Sequence, residues 1–190
     1  MKMSKEYRNS IRSRKSIRTA YAELISEKKD SSKITVKEIV DRADISKSTF
    51  YCHYNDINDL VAEIQNDVLK NAKEVLDEYI KNPEASIEAS LKKSLEVIRK
   101  NEQDYRLIAS GIYPATFLTQ YKEYVIENLF ACSKFVTKYQ DPAKRHAEIS
   151  FFACGFIDII CGYLQGYSKL TLDENIELAT SFIKDFLSTK

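Results

Sequence analysis

The sequence predicts an all-α fold of about nine helices, and three observations carry that expectation. Glycine and proline, which punctuate strands and tight turns, number only 4 and 3 in 190 residues, while Leu, Ile, Ala, Lys and Glu are plentiful. Apolar residues recur every three to four positions along most of the chain, and no convincing strand pattern interrupts them. Helix-opening signals, a Ser, Thr, Asp or Asn ahead of an apolar-periodic run, recur along its length. At 44% hydrophobic and 30% charged residues, the composition is that of an ordinary folded chain with enough length for a real core.

The elements follow in order. Residues 7–27 carry Ile11, Ile17, Ala20, Tyr21, Leu24 and Ile25 at helical spacing, with Arg and Lys between them, and residues 28–33 form a polar break. Thr35 and Glu38 make a capping box for a short helix through Ile39, Val40 and Ala43. Asp44 and Ile45 form a tight turn, and Ser46 caps a second short helix over residues 47–53. Asp56 opens a long helix through Leu60, Ile64, Leu69, Leu76 and Ile80. Asn82 ahead of Pro83 reads as a cap with a first-turn proline, leading a helix with Ile87, Leu91, Leu95 and Ile98. A short helix near residues 105–110 ends at Gly111, and Pro114 opens a longer one through Phe117, Tyr121, Val125, Leu129 and Val136. Asp141 and Pro142 repeat the cap-and-proline signature for a helix reaching about Gly166. Thr171 and Glu174 box the last helix, which carries Ile176, Ala179, Phe182, Ile183 and Phe186.

Charge divides the chain. Residues 1–55 hold 13 Lys/Arg against 7 Asp/Glu, a balance of +6, whereas residues 56–190 hold 16 against 21, a balance of −5. A basic head of residues 1–55 on an acidic body of residues 56–190 suits a head that meets a polyanion. The plainer alternative is that such runs are solvated helix faces. No signal-peptide h-region opens the chain, and the longest apolar stretch, residues 149–164, contains Asp158 and reads as a buried helix rather than a membrane span. The expected location is the cytoplasm, where Cys52, Cys132, Cys154 and Cys161 are expected as free thiols.

The informative stretch is residues 34–54. Two short helices joined by about three residues are what a helix-turn-helix needs. Phe50 and Tyr54, four apart, supply the core side of the second helix, which leaves Lys47, Ser48, Thr49, Tyr51, Cys52 and His53 to face outward. Small polar side chains at the start of such a helix allow close approach to a major groove.

These residues resemble the TetR family of bacterial transcriptional regulators. The resemblance rests on Thr35-Val-Lys-Glu-Ile, on Ala43-Asp-Ile-Ser-Lys-Ser-Thr-Phe-Tyr, on His53-Tyr54 and on Leu60 at the start of the fourth helix. It spans residues 8–64 at motif level; beyond them only length and helical rhythm agree. The resemblance implies a helix-turn-helix DNA-binding head on a larger helical body for effector binding and dimerisation. It implies that Thr35 holds a phosphate, that Lys37 reaches a base edge or a phosphate, and that Lys47, Ser48 and Thr49 approach the bases beside their cap Ser46. Tyr51 and His53 would bind phosphates, and Cys52 would face the groove. Two positions depart from the family pattern: Asp44 stands where the turn often has glycine, and Ile57 where the fourth helix commonly begins with lysine. Arg8, Arg12 and Arg14 are offered as compensating cations.

For the body, the resemblance implies a cavity between the central helices, for which Tyr105, Tyr113, Phe117, Tyr121, Phe152 and Phe156 are the candidate lining; plain core is the alternative. It also implies a four-helix interface between two copies, with Gly155, Ile159, Gly162, Tyr163, Phe182 and Phe186 as candidates. Asp158 is read as a buried hydrogen-bonding group at that interface. The implied partners are a near-palindromic duplex operator, a second copy of the chain and a small-molecule effector of unspecified class. Repression relieved by the effector is the expected mode; activation or co-regulation through a protein partner, without a small molecule, is the alternative.

An enzyme is not expected. The sequence has no phosphate-cradling glycine loop and no nucleophile beside a plausible base. No cofactor or metal is expected either, since His53 and His146 lie at no ligand spacing from Cys154 and Cys161.

Overall fold

The computed structural model describes residues 5–82, 84–110, 115–132 and 138–188, and the side chains of 5, 6, 115, 116 and 186–188 are outside the description. Among the described residues there are nine α-helices, one short 3-10 turn and no strand. The helices are α1 (Lys5–Lys28), α2 (Val36–Ala43), α3 (Lys47–Tyr51), α4 (Ile57–Lys81) and α5 (Ile87–Lys100), then α6 (Glu102–Ala109), α7 (Ala115–Ala131), α8 (Pro142–Leu164) and α9 (Leu172–Ser188). The chain divides into two compact units, Met1–Asp67 and Val68–Lys190, so the cut falls within α4 rather than at 55/56.

Most starts obey local chemistry. Thr35 and Glu38 form the full capping box of α2, Ser46 caps α3, Asp56 accepts from the Asp59 amide at the head of α4, and Asp141 with Pro142 opens α8. Thr171 and Glu174 exchange the same paired bonds ahead of α9. One start differs. Asn82 accepts from the Glu84 amide in a local turn, and α5 is capped instead by Ser86, four residues further on. Gly111, Pro114 and Val136 lie outside the described residues. At the far end of α8, Gly166 takes φ +80, and the Tyr167 amide bonds back to the Gly162 carbonyl. That left-handed residue ends the helix where a side chain would be strained.

In the first unit, α1 packs against α2 and α3 around Ile17, Tyr21, Ile39, Phe50, Leu60 and Ile64, all fully buried. In the second, two apolar clusters form the interior. Val68, Ile98, Tyr105, Phe117, Ile160 and Ile176 anchor one, and Tyr79, Ile126, Leu129, Cys132, Ile149 and Ala153 anchor the other.

Helix α8 is not the buried helix expected. Among the described residues it is the helix long and apolar enough to cross a membrane by length and composition, and only 33% of its most apolar window is buried. Ile149, Ala153, Ile157, Ile160 and Leu164 face inward, while Phe151 is 75% exposed on the other side. Asp158 is likewise no buried group: its carboxylate is largely exposed and takes an ion pair from Lys122 on α7 at 2.7 Å. All four cysteines are free thiols.

Candidate functional site

The helix-turn-helix is held from beneath. Phe50 is buried completely and Tyr54 almost so, their rings 5.6 Å apart, and the Tyr54 hydroxyl donates to Glu63 on α4 at 3.1 Å. Glu63 also meets Arg14 and Arg18 of α1, and Arg18 reaches Asp67 at 2.5 Å. Burial and the Glu63 carboxylate push the Tyr54 phenol far up, so it stays a donor. The turn itself is closed by Asp44 in the left-handed conformation, φ 51 and ψ 52, with its amide bonded to the Val40 carbonyl. Aspartate tolerates that region better than most L residues, so the turn forms without the glycine that the family pattern favours.

What remains outward is polar. Lys37, Ser46, Lys47, Ser48, Tyr51 and Cys52 are exposed, and Thr49 is half-buried. Helix α3 is shorter than expected: it ends at Tyr51, and Cys52 and His53 lie in a tight turn whose amide at His53 bonds the Phe50 carbonyl. The Ser46 hydroxyl accepts from the Thr49 amide and lies 2.7 Å from the Ser48 hydroxyl. Thr35 spends its hydroxyl on Glu38 within the capping box.

Cations sort into two groups. Arg42 is bound to Glu27 and Glu23 of α1, Lys28 to Glu38, and Lys33 to Asp30. These exposed pairs contribute little to stability, yet they occupy the charges. Lys37 and Lys47 have no ion-pair partner among the described residues and project from the first turns of α2 and α3. Of the three arginines offered as compensation, Arg14 is engaged by Glu63 and donates to His53, whereas Arg8 and Arg12 are exposed.

His53 is less available than its position in the motif suggests. Its Nε2 lies 2.7 Å from the Ser13 hydroxyl, and its Nδ1 accepts from Arg14 at 3.5 Å. Desolvation first, and then Arg14, lower its pKa, against a smaller opposite pull from Glu63. A histidine whose folded pKa lies below its unfolded value favours folding above about pH 6.5 and loses that contribution as the pH falls. We therefore expect wild-type unfolding free energy to drop between pH 7 and 5.5 by more than that of His53→Gln. Denaturant titrations at the two pH values measure this, and equal drops would remove His53 from the account.

In the second unit, five of the six candidate lining residues come together. Tyr105, Phe117, Tyr121, Phe152 and Phe156 all face one cavity of about 160 Å3; Tyr113 lies outside the described residues. Sequence reasoning missed Asn71, which lines the same cavity and pulls the Tyr105 phenol's pKa down against the larger upward effect of burial. The signal was there: Asn71 sits on α4 between Val68 and Val75, a polar residue on an otherwise apolar stripe. The proposed interface residues are more scattered. Gly155 and Phe182 are exposed, Ile159 and Gly162 half-buried, and the Phe186 side chain is outside the description. Tyr163 turns toward α6, donating to Glu102 at 3.2 Å and lying under the Arg106 guanidinium.

Together these features define a helix-turn-helix head and a helical body with an interior cavity. Two solved structures have the same architecture. A structure from Syntrophomonas wolfei assigned to the TetR-family transcriptional regulators is 20% identical, with a TM-score of 0.64 over 90% of this chain and 93% of that one. A TetR transcriptional regulator from Streptococcus agalactiae, also 20% identical, gives a TM-score of 0.54 over 94% and 97%. The chain has the TetR-family fold. No family model and no curated protein matches the sequence.

Proposed function

We propose that this chain is a TetR-family transcriptional regulator, a homodimer that binds a near-palindromic DNA operator through α2 and α3 of each copy and responds to a small effector in its body. The observation that carries the reading is the division of labour on α3. Phe50 and Tyr54 are committed to the core, while Lys47, Ser48 and Tyr51 stand exposed beside the unpaired Lys37. A short helix presenting small polar and basic groups fits a major groove about 12 Å wide. In this reading Lys37 and the segment Lys47–Thr49 give sequence preference, and Tyr51, Ser46 and the first turn of α2 that Thr35 caps meet phosphates. His53, tied to Ser13, acts by holding the end of α3 against α1 rather than by carrying charge to the backbone.

The dimer reading is supported by an apolar face of α8 and α9 that no described residue covers. Phe151 is 75% exposed, Phe182 52% and Leu178 38%, and side chains added at Gly155 or Gly162 would meet nothing within 4 Å. Among the described residues nothing requires those glycines to be small; a second helix crossing close over them would. Repression relieved by the effector is the mode we assign, through coupling between cavity and head.

Selection of bound sequences from a random duplex library, at a stated salt concentration, tests the function: an inverted repeat is expected, and no enrichment by a folded dimer would refute it. On the recovered site, Tyr51→Phe should weaken every sequence alike, by about fivefold for one lost phosphate hydrogen bond. Lys47→Ala should also change which bases are preferred, with about 1–3 kcal/mol of discrimination lost at the contacted position. Identical selection profiles for wild type and Lys47→Ala would remove Lys47 from base recognition.

A further inference from the structure

The cavity of the second unit lies among α4 to α9, and its walls define what it can hold. Val75, Leu91, Val97, Phe156 and Ile157 are typical of them, and no charged side chain lines it among the described residues. Its volume, about 160 Å3, is close to the ~150 Å3 at which an apolar cavity in another protein takes up benzene. An ion entering such a space would leave its hydration shell without meeting a countercharge. Phosphates, carboxylates and ammonium compounds are thereby disfavoured.

The polar groups on the wall are few, and most are already engaged. Asn71 sits close enough to lower the Tyr105 phenol's pKa, and the Ser94 hydroxyl donates to the Ser90 carbonyl at 3.0 Å. Tyr121 also lines the wall. Its ring leans on Phe117, centroids 6.4 Å apart, and its hydroxyl has no hydrogen-bond partner among the described residues. Burial, with the Tyr105 phenol and the Cys161 thiol nearby, holds that hydroxyl protonated, so it keeps a proton to donate. A ligand that brings an acceptor into the cavity gives that proton a partner away from water.

We propose that the cavity takes a neutral, largely apolar molecule of one or two rings whose carbonyl oxygen accepts a hydrogen bond from Tyr121. The proposal deepens the regulator reading and rests on it only in calling this molecule the effector. Three probes that share a naphthalene skeleton separate its parts: 2-acetonaphthone, naphthalene and 2-naphthoate. Equilibrium dialysis against the full chain, without DNA, measures each. The ketone is expected to bind, and 2-naphthoate at least a hundredfold more weakly. Tyr121→Phe should weaken the ketone about three- to tenfold and leave naphthalene within twofold. Ala72→Leu, which adds bulk to the wall, should weaken ketone and naphthalene together and so reports on shape rather than on the hydrogen bond. The assignment is overturned if 2-naphthoate binds as well as the ketone, if Tyr121→Phe treats the two neutral probes alike, or if neither neutral probe binds. A protein that selects no operator yet binds the probes in this order refutes the regulator reading and leaves the cavity assignment standing. An operator selected with no ketone bound does the reverse.

Discussion

Phe50→Ala is expected to unfold the head, while Tyr51→Ala, one residue along, is expected to leave it folded and weaken DNA binding about tenfold. Phe50 is completely buried, and truncating such a ring costs about 3–5 kcal/mol through lost burial and the cavity left behind. The unit it belongs to, Met1–Asp67, has a total stability of roughly 3–10 kcal/mol by the usual allowance per residue. One substitution therefore consumes much or all of it. Tyr51 is 55% exposed, and its ring meets Phe50 only edge-on at 5.5 Å, so its loss should move stability by no more than about 0.5 kcal/mol. Its consequence is on the surface: about tenfold weaker binding to the selected operator if its hydroxyl and ring both serve the DNA. Hydrogen exchange across residues 36–54 and binding isotherms at fixed salt read the two effects separately. Protection retained in Phe50→Ala would show that the motif is held by other contacts, and unchanged affinity in Tyr51→Ala would take that residue out of the interface.

That Phe50 is buried and Tyr51 exposed was legible in the sequence because the evidence is local. Phe50 and Tyr54 are four apart, and the boxes at Thr35 and Thr171 and the Asp141–Pro142 start involve bonds within one turn. The same local logic misplaced the start of α5, where Asn82–Pro83 and Ser86 both carry cap chemistry and only the second opens the helix. What the sequence did not reveal depends on distant partners. His53 looks like a free polar group until Ser13, forty residues earlier, is beside it. Asp158 looks like a buried acid in an apolar helix until Lys122 is brought to it from α7. The aromatic set of the body converged on one cavity, yet its character, walls without charge among the described residues, required knowing which side chains the fold brings together there. The division of the chain at 67/68 rather than 55/56 has a similar origin, since the motif ends before α4 does and contacts, not motifs, decide where a unit closes.

The second large effect concerns the uncovered face of α8 and α9. If two copies meet there about a twofold axis, each residue of the face is buried twice, so any substitution counts double. Burying a Phe side chain contributes about 1.5–3 kcal/mol, and a glutamate in its place adds an unpaired charge to the contact. Phe182 is already about half covered within one copy, so Phe182→Glu should weaken the dimer by at least roughly 1.5–3 kcal/mol, which is about 10- to 10²-fold in dissociation constant. Phe151→Glu should do the same, and because both side chains are more than half exposed in the single chain, neither should disturb its helical fold. Sedimentation over a dilution series distinguishes monomer from dimer, and circular dichroism checks the fold. Two variants that remain dimeric at the wild-type concentration would move the interface elsewhere. If they do fall apart, the operator is the more sensitive reporter. Two linked heads bind an inverted repeat with the advantage of a high effective concentration for the second, and a monomer loses that advantage entirely. Affinity for the full repeat should then collapse toward that for a half-site, although neither Phe151 nor Phe182 belongs to the proposed DNA-contacting set.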